Sequence, residues 1–169
     1  MNGKLCFFIG HRDANDEIFP LLAAEVNRHI STLGVTEFIV GHYGHFDRLA
    51  AKAVIKAKQT NASLHLYLLL PYHPWERPID TPDGFDGTVY PPDMESVPRR
   101  FAIVRANRYM VDHTDFLIAY GWRPGSNAKK LLDYGKRRQA KGLLQITQLP
   151  YTPLPCPGNK LHPEKIISV

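Results

Sequence analysis

Cysteine is nearly absent: Cys6 and Cys156 are the only two in 169 residues. A disulfide scaffold is therefore excluded, and there is no set of thiols for a structural zinc site. So few thiols suit a reducing compartment, and a cytoplasmic location is expected. Long apolar runs are missing as well. The stretch Leu5-Cys6-Phe7-Phe8-Ile9 is far too short for a signal-peptide core, and nothing approaches the roughly 20 apolar residues of a membrane helix. No membrane partner is expected. Neither G-x-G-x-x-G nor G-x-x-x-x-G-K-[ST] occurs, which argues against a common NAD enzyme or a P-loop NTPase. Acidic charge is in deficit, with 16 Asp+Glu against 21 Lys+Arg, a net charge of +5 and a pI near 9.2. That balance is compatible with an anionic ligand or with nucleic acid, and specific for neither.

What is present describes a globular chain, 44% hydrophobic, 22% charged and 11% aromatic. A chain of this length forms one domain and buries about 70% of the surface its unfolded form exposes. Strand-like and helix-like patterns alternate along it. Leu5 to Ile9 is an apolar run of the kind buried on both faces of a sheet. Ile18, Leu21, Leu22, Val26 and Leu33 follow near helical spacing, closed by Gly34. Phe38-Ile39-Val40 predicts a second strand. Phe46, Leu49, Ala50, Ala53, Val54 and Ala57 predict an amphipathic helix, and Leu64 to Leu70 a third strand. Residues 99–112 read as a helix and Phe116 to Tyr120 as a fourth strand. Ala128, Leu131, Leu132 and Gly135 mark a further helix, and Leu143 to Thr147 a fifth strand.

The alternation implies a doubly wound, Rossmann-like α/β fold: a mostly parallel five-stranded sheet with helices on both faces. It is interrupted at 71–98, which holds seven of the fourteen prolines (71, 74, 78, 82, 91, 92 and 98) together with Tyr72, Trp75, Phe85 and Tyr90. So long a proline- and aromatic-rich loop reads as an ordered, lid-like insert. Residues 1–149 are expected to form the domain, and 150–169 a proline-rich irregular tail.

In such sheets ligands bind beyond the carboxyl ends of the strands. Three turns there pair glycine with polar donors just before a helix: Gly10-His11-Arg12-Asp13, Gly41-His42-Tyr43-Gly44-His45-Phe46-Asp47 and Gly121-Trp122-Arg123-Pro124-Gly125-Ser126-Asn127. Backbone N–H groups and the positive end of a helix dipole make such turns anion sites. A phosphate-bearing ligand is the favoured reading over ordinary steric turns.

Among the eight histidines, His11, His42 and His45 could meet on that edge. No H-x-E or H-E-x-x-H spacing accompanies them, so hydrogen bonding to ligand or backbone is preferred to metal binding. Arg105 and Arg108 share one side of the helix before the fourth strand, with Asn107 between them. Their guanidinium groups suit phosphate, and a solvated basic face is the other reading. Arg99 and Arg100 read as solvated. Lys129, Lys130, Lys136, Arg137, Arg138 and Lys141 also read as a solvated basic face rather than a nucleic-acid patch.

Ile9-Gly10-His11-Arg12, Gly41-x-x-Gly44-x-Phe46-Asp47, Leu70-Pro71-Tyr72 and the block from Arg105 through Asn107-Arg108-Tyr109-Met110-Val111-Asp112 to Asp115-Phe116-Leu117-Ile118-Ala119-Tyr120 resemble the small YpsA-like branch of the SLOG superfamily. That superfamily is named after the DNA-processing protein Smf/DprA and the LOG enzymes. The resemblance runs from about residue 4 to 147. It implies a Rossmann-like fold that holds a nucleotide or nucleotide-derived ligand, ADP-ribose-like for example, and it implies no cofactor. Carried across, it points to Gly10, His11, Arg12, Gly41, Gly44, Asp47, Asn107, Arg108, Asp115, Gly125 and Ser126; the turn itself adds Asn127. LOG-type members have a glycine at the position of Ser126 and a catalytic glutamate shortly after it. Residues 125–130, Gly-Ser-Asn-Ala-Lys-Lys, offer no acid. Ligand binding as a sensor or sequestering module is therefore the first expectation. A LOG-like N-glycosidase acting on nucleoside monophosphates is the alternative, and DprA-like binding of single-stranded DNA the second alternative. Self-association is left open.

Overall fold

The computed structural model describes residues 3–151. Six strands form one sheet: β1 (Lys4–Gly10), β2 (Val35–Val40), β3 (His65–Leu69), β4 (Gly87–Val89), β5 (Phe116–Tyr120) and β6 (Gln145–Gln148). Their order is β4-β3-β2-β1-β5-β6 and every pairing is parallel. Four helices connect them: α1 (Phe19–Ser31), α2 (His45–Lys58), α3 (Arg99–His113) and α4 (Asn127–Gln139).

The chain winds outward from β1 to β4 and then returns to place β5 on the other flank of β1. The winding direction reverses between β1 and β5, the position where doubly wound sheets open a crevice at their carboxyl ends. Alternate side chains of β1 feed two cores. Cys6 and Phe8 pack with Leu22 and Val26 of α1 and Phe46, Ala50 and Val54 of α2. Leu5, Phe7 and Ile9 pack with Ala102, Ala106 and Met110 of α3 and Leu132 of α4. Burial on both faces explains why β1 and β5 are continuous apolar runs.

The sheet has one strand more than the five expected. The additional β4 lies inside 71–98 and is only three residues long, Gly-Thr-Val, with no residue fully buried. Its pairing is not visible in local pattern because partners elsewhere recruit it. Asp86 Oδ2 accepts from Leu66 N at 2.7 Å and from Lys58 Nζ at 2.5 Å. Leu70 N then donates to Val89 O at 2.8 Å. The rest of the insert packs on both cores, through Ile79 and Phe85 on one face and Tyr72, Met94 and Val97 on the other. Of the expected tail, all but Pro150 and Tyr151 lies outside the described residues; the Tyr151 ring lies 4.0 Å from that of Trp122. Among the described residues, no helix is long and apolar enough to cross a membrane.

Candidate functional site

A cavity of about 580 Å³ opens at the carboxyl edge beside the β1–β5 switch point. The turn after β1 supplies Gly10, His11 and Arg12; the turn after β2 supplies Gly41, Tyr43 and Gly44, with Asp47 behind them. Asn107 and Arg108 of α3 form one wall, and Ser126 and Asn127 begin α4 on the other side. The structure thus gathers ten of the thirteen site residues expected from sequence.

Three of them stand apart from the cavity lining. Gly125 shapes its turn through a φ of +76° without facing the cavity. Arg105 is exposed on α3. Asp115 lies at the amino end of β5, on the opposite edge of the sheet, where its Oδ2 accepts from Leu5 N at 2.8 Å. The expectation for Asp115 is corrected accordingly: it fastens β5 to β1 and is not part of this site.

The three turns reach the cavity in different states. His11 is buried, and its Nε2 accepts from both Trp122 N (3.1 Å) and Arg123 N (3.2 Å). A ring nitrogen facing two donors carries no proton, so the ring is neutral with its hydrogen on Nδ1. Burial above all, and then the Arg123 charge, hold its pKa below the ordinary imidazole value against the opposing pull of Asp13. His11 therefore ties the β1 turn to the β5 turn and consumes two N–H groups that an anion would otherwise meet. An ion pair between Arg123 and Asp13 at 2.8 Å joins the same turns at the rim.

The start of α2 is also closed by the chain. Asp47 Oδ2 accepts from Tyr43 N (3.0 Å) and Gly44 N (3.1 Å), and His45 N donates to Arg12 O at 2.7 Å. Burial pushes the Asp47 carboxyl up to about 6, against the stabilising backbone donors and the His42 and Arg12 charges. Two glycines make this packing sterically feasible. A Cβ on Gly10 would lie 2.1 Å from the Phe46 ring, and one on Gly41 would lie 2.8 Å from Asp47 Oδ2.

The start of α4 is different. Ser126 Oγ caps the helix by accepting from Lys129 N at 3.1 Å. Asn127 N and Ala128 N take no acceptor among the described residues, and both residues line the cavity. These are free first-turn N–H groups at the positive end of a helix dipole, the arrangement that receives an anion. Cations line the same cavity. The Arg108 guanidinium lies 4.2 Å and that of Arg137 5.5 Å from the centre of the Tyr134 ring. Tyr134 itself is held by a 2.5 Å hydrogen bond to Asp112 Oδ1. Lys130 also faces the cavity.

The two histidines that follow β2, His42 and His45, stand outside this cavity lining. His45 bonds Asp16 Oδ1 at 2.7 Å. Among the described residues no group of three or more His, Cys, Asp or Glu could hold a metal ion.

No family model matches the chain, and no curated protein matches it. Solved structures do. DNA processing protein A (DprA) from Streptococcus pneumoniae superposes with a TM-score of 0.59 at 14% identity, covering 89% of this chain and 51% of that one. The fold is shared with DprA. DprA is one of the proteins after which the resembled superfamily is named, so the Rossmann-like architecture implied by the sequence motifs is the one found. The chain spans about half the length of that DprA structure. The Moco carrier protein from Chlamydomonas rheinhardtii also matches, with a TM-score of 0.45 at 16% identity, covering 86% of this chain and 89% of that one.

Arg123, Tyr134, Lys130 and Arg137 also line the cavity and are not among the expected site residues, with Lys130 and Arg137 expected on a solvated face. For the last three a signal existed. Positions 127, 130, 134 and 137 recur at three- and four-residue intervals, which puts them on one side of α4. The basic run divides accordingly. Lys129 pairs with Asp133 and Arg138 with Asp112, whereas Lys130 and Arg137 face the cavity.

Proposed function

We propose that the chain is a YpsA-like member of the SLOG superfamily and binds a nucleotide or nucleotide-derived ligand as a sensor or sequestering module. The observation that carries this reading is the pair of unsatisfied N–H groups, Asn127 and Ala128, in a cavity that Arg108, Lys130 and Arg137 also line. A phosphate placed there receives two backbone donors, the α4 dipole and guanidinium groups. The apolar flank of Ile103, Val104 and Tyr134 suits a base or sugar face. The volume lies within the usual range for small-ligand sites.

Binding without hydrolysis is favoured. Glycosidic cleavage passes through an oxocarbenium-like state that needs a carboxylate near the sugar. The first turn of α4 has none, and Asp133 is paired with Lys129. Asp47 keeps the N-glycosidase reading alive, because a carboxyl raised to about 6 is a general acid or base near neutral pH. Titrating the protein with AMP and ADP-ribose by calorimetry tests binding, and chromatography of the same mixtures tests for free base. Saturable heat without base release supports the binding reading. Catalytic base release that Asp47→Asn abolishes supports the enzyme. Binding only to oligonucleotides, with a steep salt dependence, would favour the DprA-like reading instead.

A further inference from the structure

A second cavity, of about 940 Å³, lies against the first and shares Gly41 and Asp47 with it. Its floor is α2 and Leu68 at the carboxyl end of β3. Its sides are Phe19 at the start of α1 and the 82–85 turn, with Phe85. The turn closes down on α2 through Gly84, which has a φ of +86° and sits so near Ile55 that a Cβ would lie 2.9 Å from Ile55 Cδ1. The proline-rich insert thus builds the outer wall of this cavity.

Arg48, Lys52 and Lys56 line it from consecutive turns of α2. At spacings of four residues they form one stripe, with an axial rise of about 6 Å between neighbours. No carboxylate pairs with any of the three among the described ion pairs; Lys58, two residues beyond the last, is paired with Asp86. Arg48 leans on His45 Nδ1 at 2.9 Å, and Lys52 lies 4.8 Å above the Phe19 ring. His42 also lines this cavity, and among the described residues Asp83 is the one acid besides Asp47 in the lining. Three cations without a carboxylate partner among the described ion pairs, beside two phenyl rings, suit a group that is both anionic and flat or sugar-like.

Resting on the nucleotide reading above, we infer that the second cavity is an anionic subsite for the distal half of an extended nucleoside diphosphate ester. One phosphate sits at the α4 start, the ligand passes over Gly41, and its far end meets Arg48, Lys52 and Lys56. Gly41 marks the crossing because it lines both cavities, and a Cβ there would lie 2.8 Å from Asp47 Oδ2.

The test compares AMP, which can fill only the first cavity, with ADP-ribose, by calorimetry at one fixed salt concentration. Wild-type protein should bind ADP-ribose at least tenfold more tightly than AMP. In the double variant Lys52→Gln/Lys56→Gln, on two exposed side chains, ADP-ribose should fall to the AMP level. AMP itself should change by less than threefold, and an unchanged circular dichroism spectrum and Tm would confirm folding. Equal affinities in the wild type, or a preference that survives the double variant, would overturn the subsite and leave the nucleotide reading standing. Binding of neither ligand would overturn both.

Discussion

The two edges of the sheet treat polar groups differently. At the amino edge the chain consumes them. Thr114 Oγ1 donates to Leu5 O or Phe116 O, both within 3.0 Å, and Asp115 accepts from Leu5 N. Gln145 N donates to Asp115 O, and Arg28 reaches Thr147. At the carboxyl edge the β1 and β2 turns are likewise engaged, through His11, Asp47 and Arg12, and so is the turn before α4 except at Asn127 N and Ala128 N. A buried backbone donor without a partner costs free energy, so donors remain open only where solvent or a ligand serves them. The contrast teaches that a polar residue beside a strand end is informative only once the edge is known. Asp115 and Asp47 both hold backbone N–H groups, yet one is a fastener and the other stands in a cavity wall.

Breaking the carboxyl edge sterically should have the largest effect. Gly10→Ala places a Cβ against the fully buried Phe46 and should cost about 3 kcal/mol in urea denaturation. Gly125→Ala meets no atoms and pays only for its positive φ, about 1 kcal/mol. Equal costs would contradict the packing described.

Removing the tie between turns comes next. His11→Ala leaves Trp122 N and Arg123 N without their acceptor and should cost about 2 kcal/mol. His11 also carries an acid sensitivity. Its folded pKa is depressed, so its stabilisation is full above the ordinary value of 6.5 and is lost as pH falls through the lower folded value. Buried His29 at the other edge behaves alike, since burial lowers it too. Unfolding free energies between pH 7 and 5 should therefore slope less in His11→Ala than in wild type, and least when both histidines are replaced.

A third comparison separates fastener from site. Asp115→Ala should lose about 1–2 kcal/mol of stability while AMP affinity stays unchanged. Arg108→Ala should weaken AMP about tenfold, roughly 1.4 kcal/mol, with a smaller change in stability. An Asp115 variant that loses AMP binding while folded would restore that residue to the site.

A last comparison, read as a pH profile, concerns Asp47→Asn. The wild-type carboxyl is raised in the folded state, so its contribution is full below the ordinary value of 3.8 and is lost as pH rises through about 6. The amide keeps an acceptor for Tyr43 N and Gly44 N but has no charge to bury. That pH-dependent loss, about 3 kcal/mol for a rise from 3.8 to about 6, should be seen in urea denaturation of the wild type as pH is raised from 3 to 7 and should be absent from the variant.

Much of this was legible from the residues in order. β5 occupies the expected Phe116 to Tyr120, and α3 runs one residue past its expected end. The turns after β1, β2 and β5 share one edge as expected, because parallel topology sends every strand's carboxyl end the same way. β4 was not legible, because a three-residue strand is held by Asp86, Leu66 and Val89 rather than by its own composition. The division of the basic run was hidden as well. Lys129 pairs with Asp133 one turn further along the same helix, but Arg138 pairs with Asp112 of α3, and which of the remaining cations face a cavity depends on what lies across from α4.

By itself, the sequence determined the alternation of buried strands and amphipathic helices, the position of the glycine turns and the excess of positive charge. These are properties of neighbours along the chain, set by hydrophobic period and backbone freedom. Only the tertiary structure decided that His11 is neutral and spent on Trp122 and Arg123, that Asp115 faces away, and that Asn127 and Ala128 keep their donors free. Each of those outcomes depends on a partner more than 100 residues distant or on the lack of one. Hydrogen bonds are satisfied in space, so no local pattern can report which donors the fold has left over.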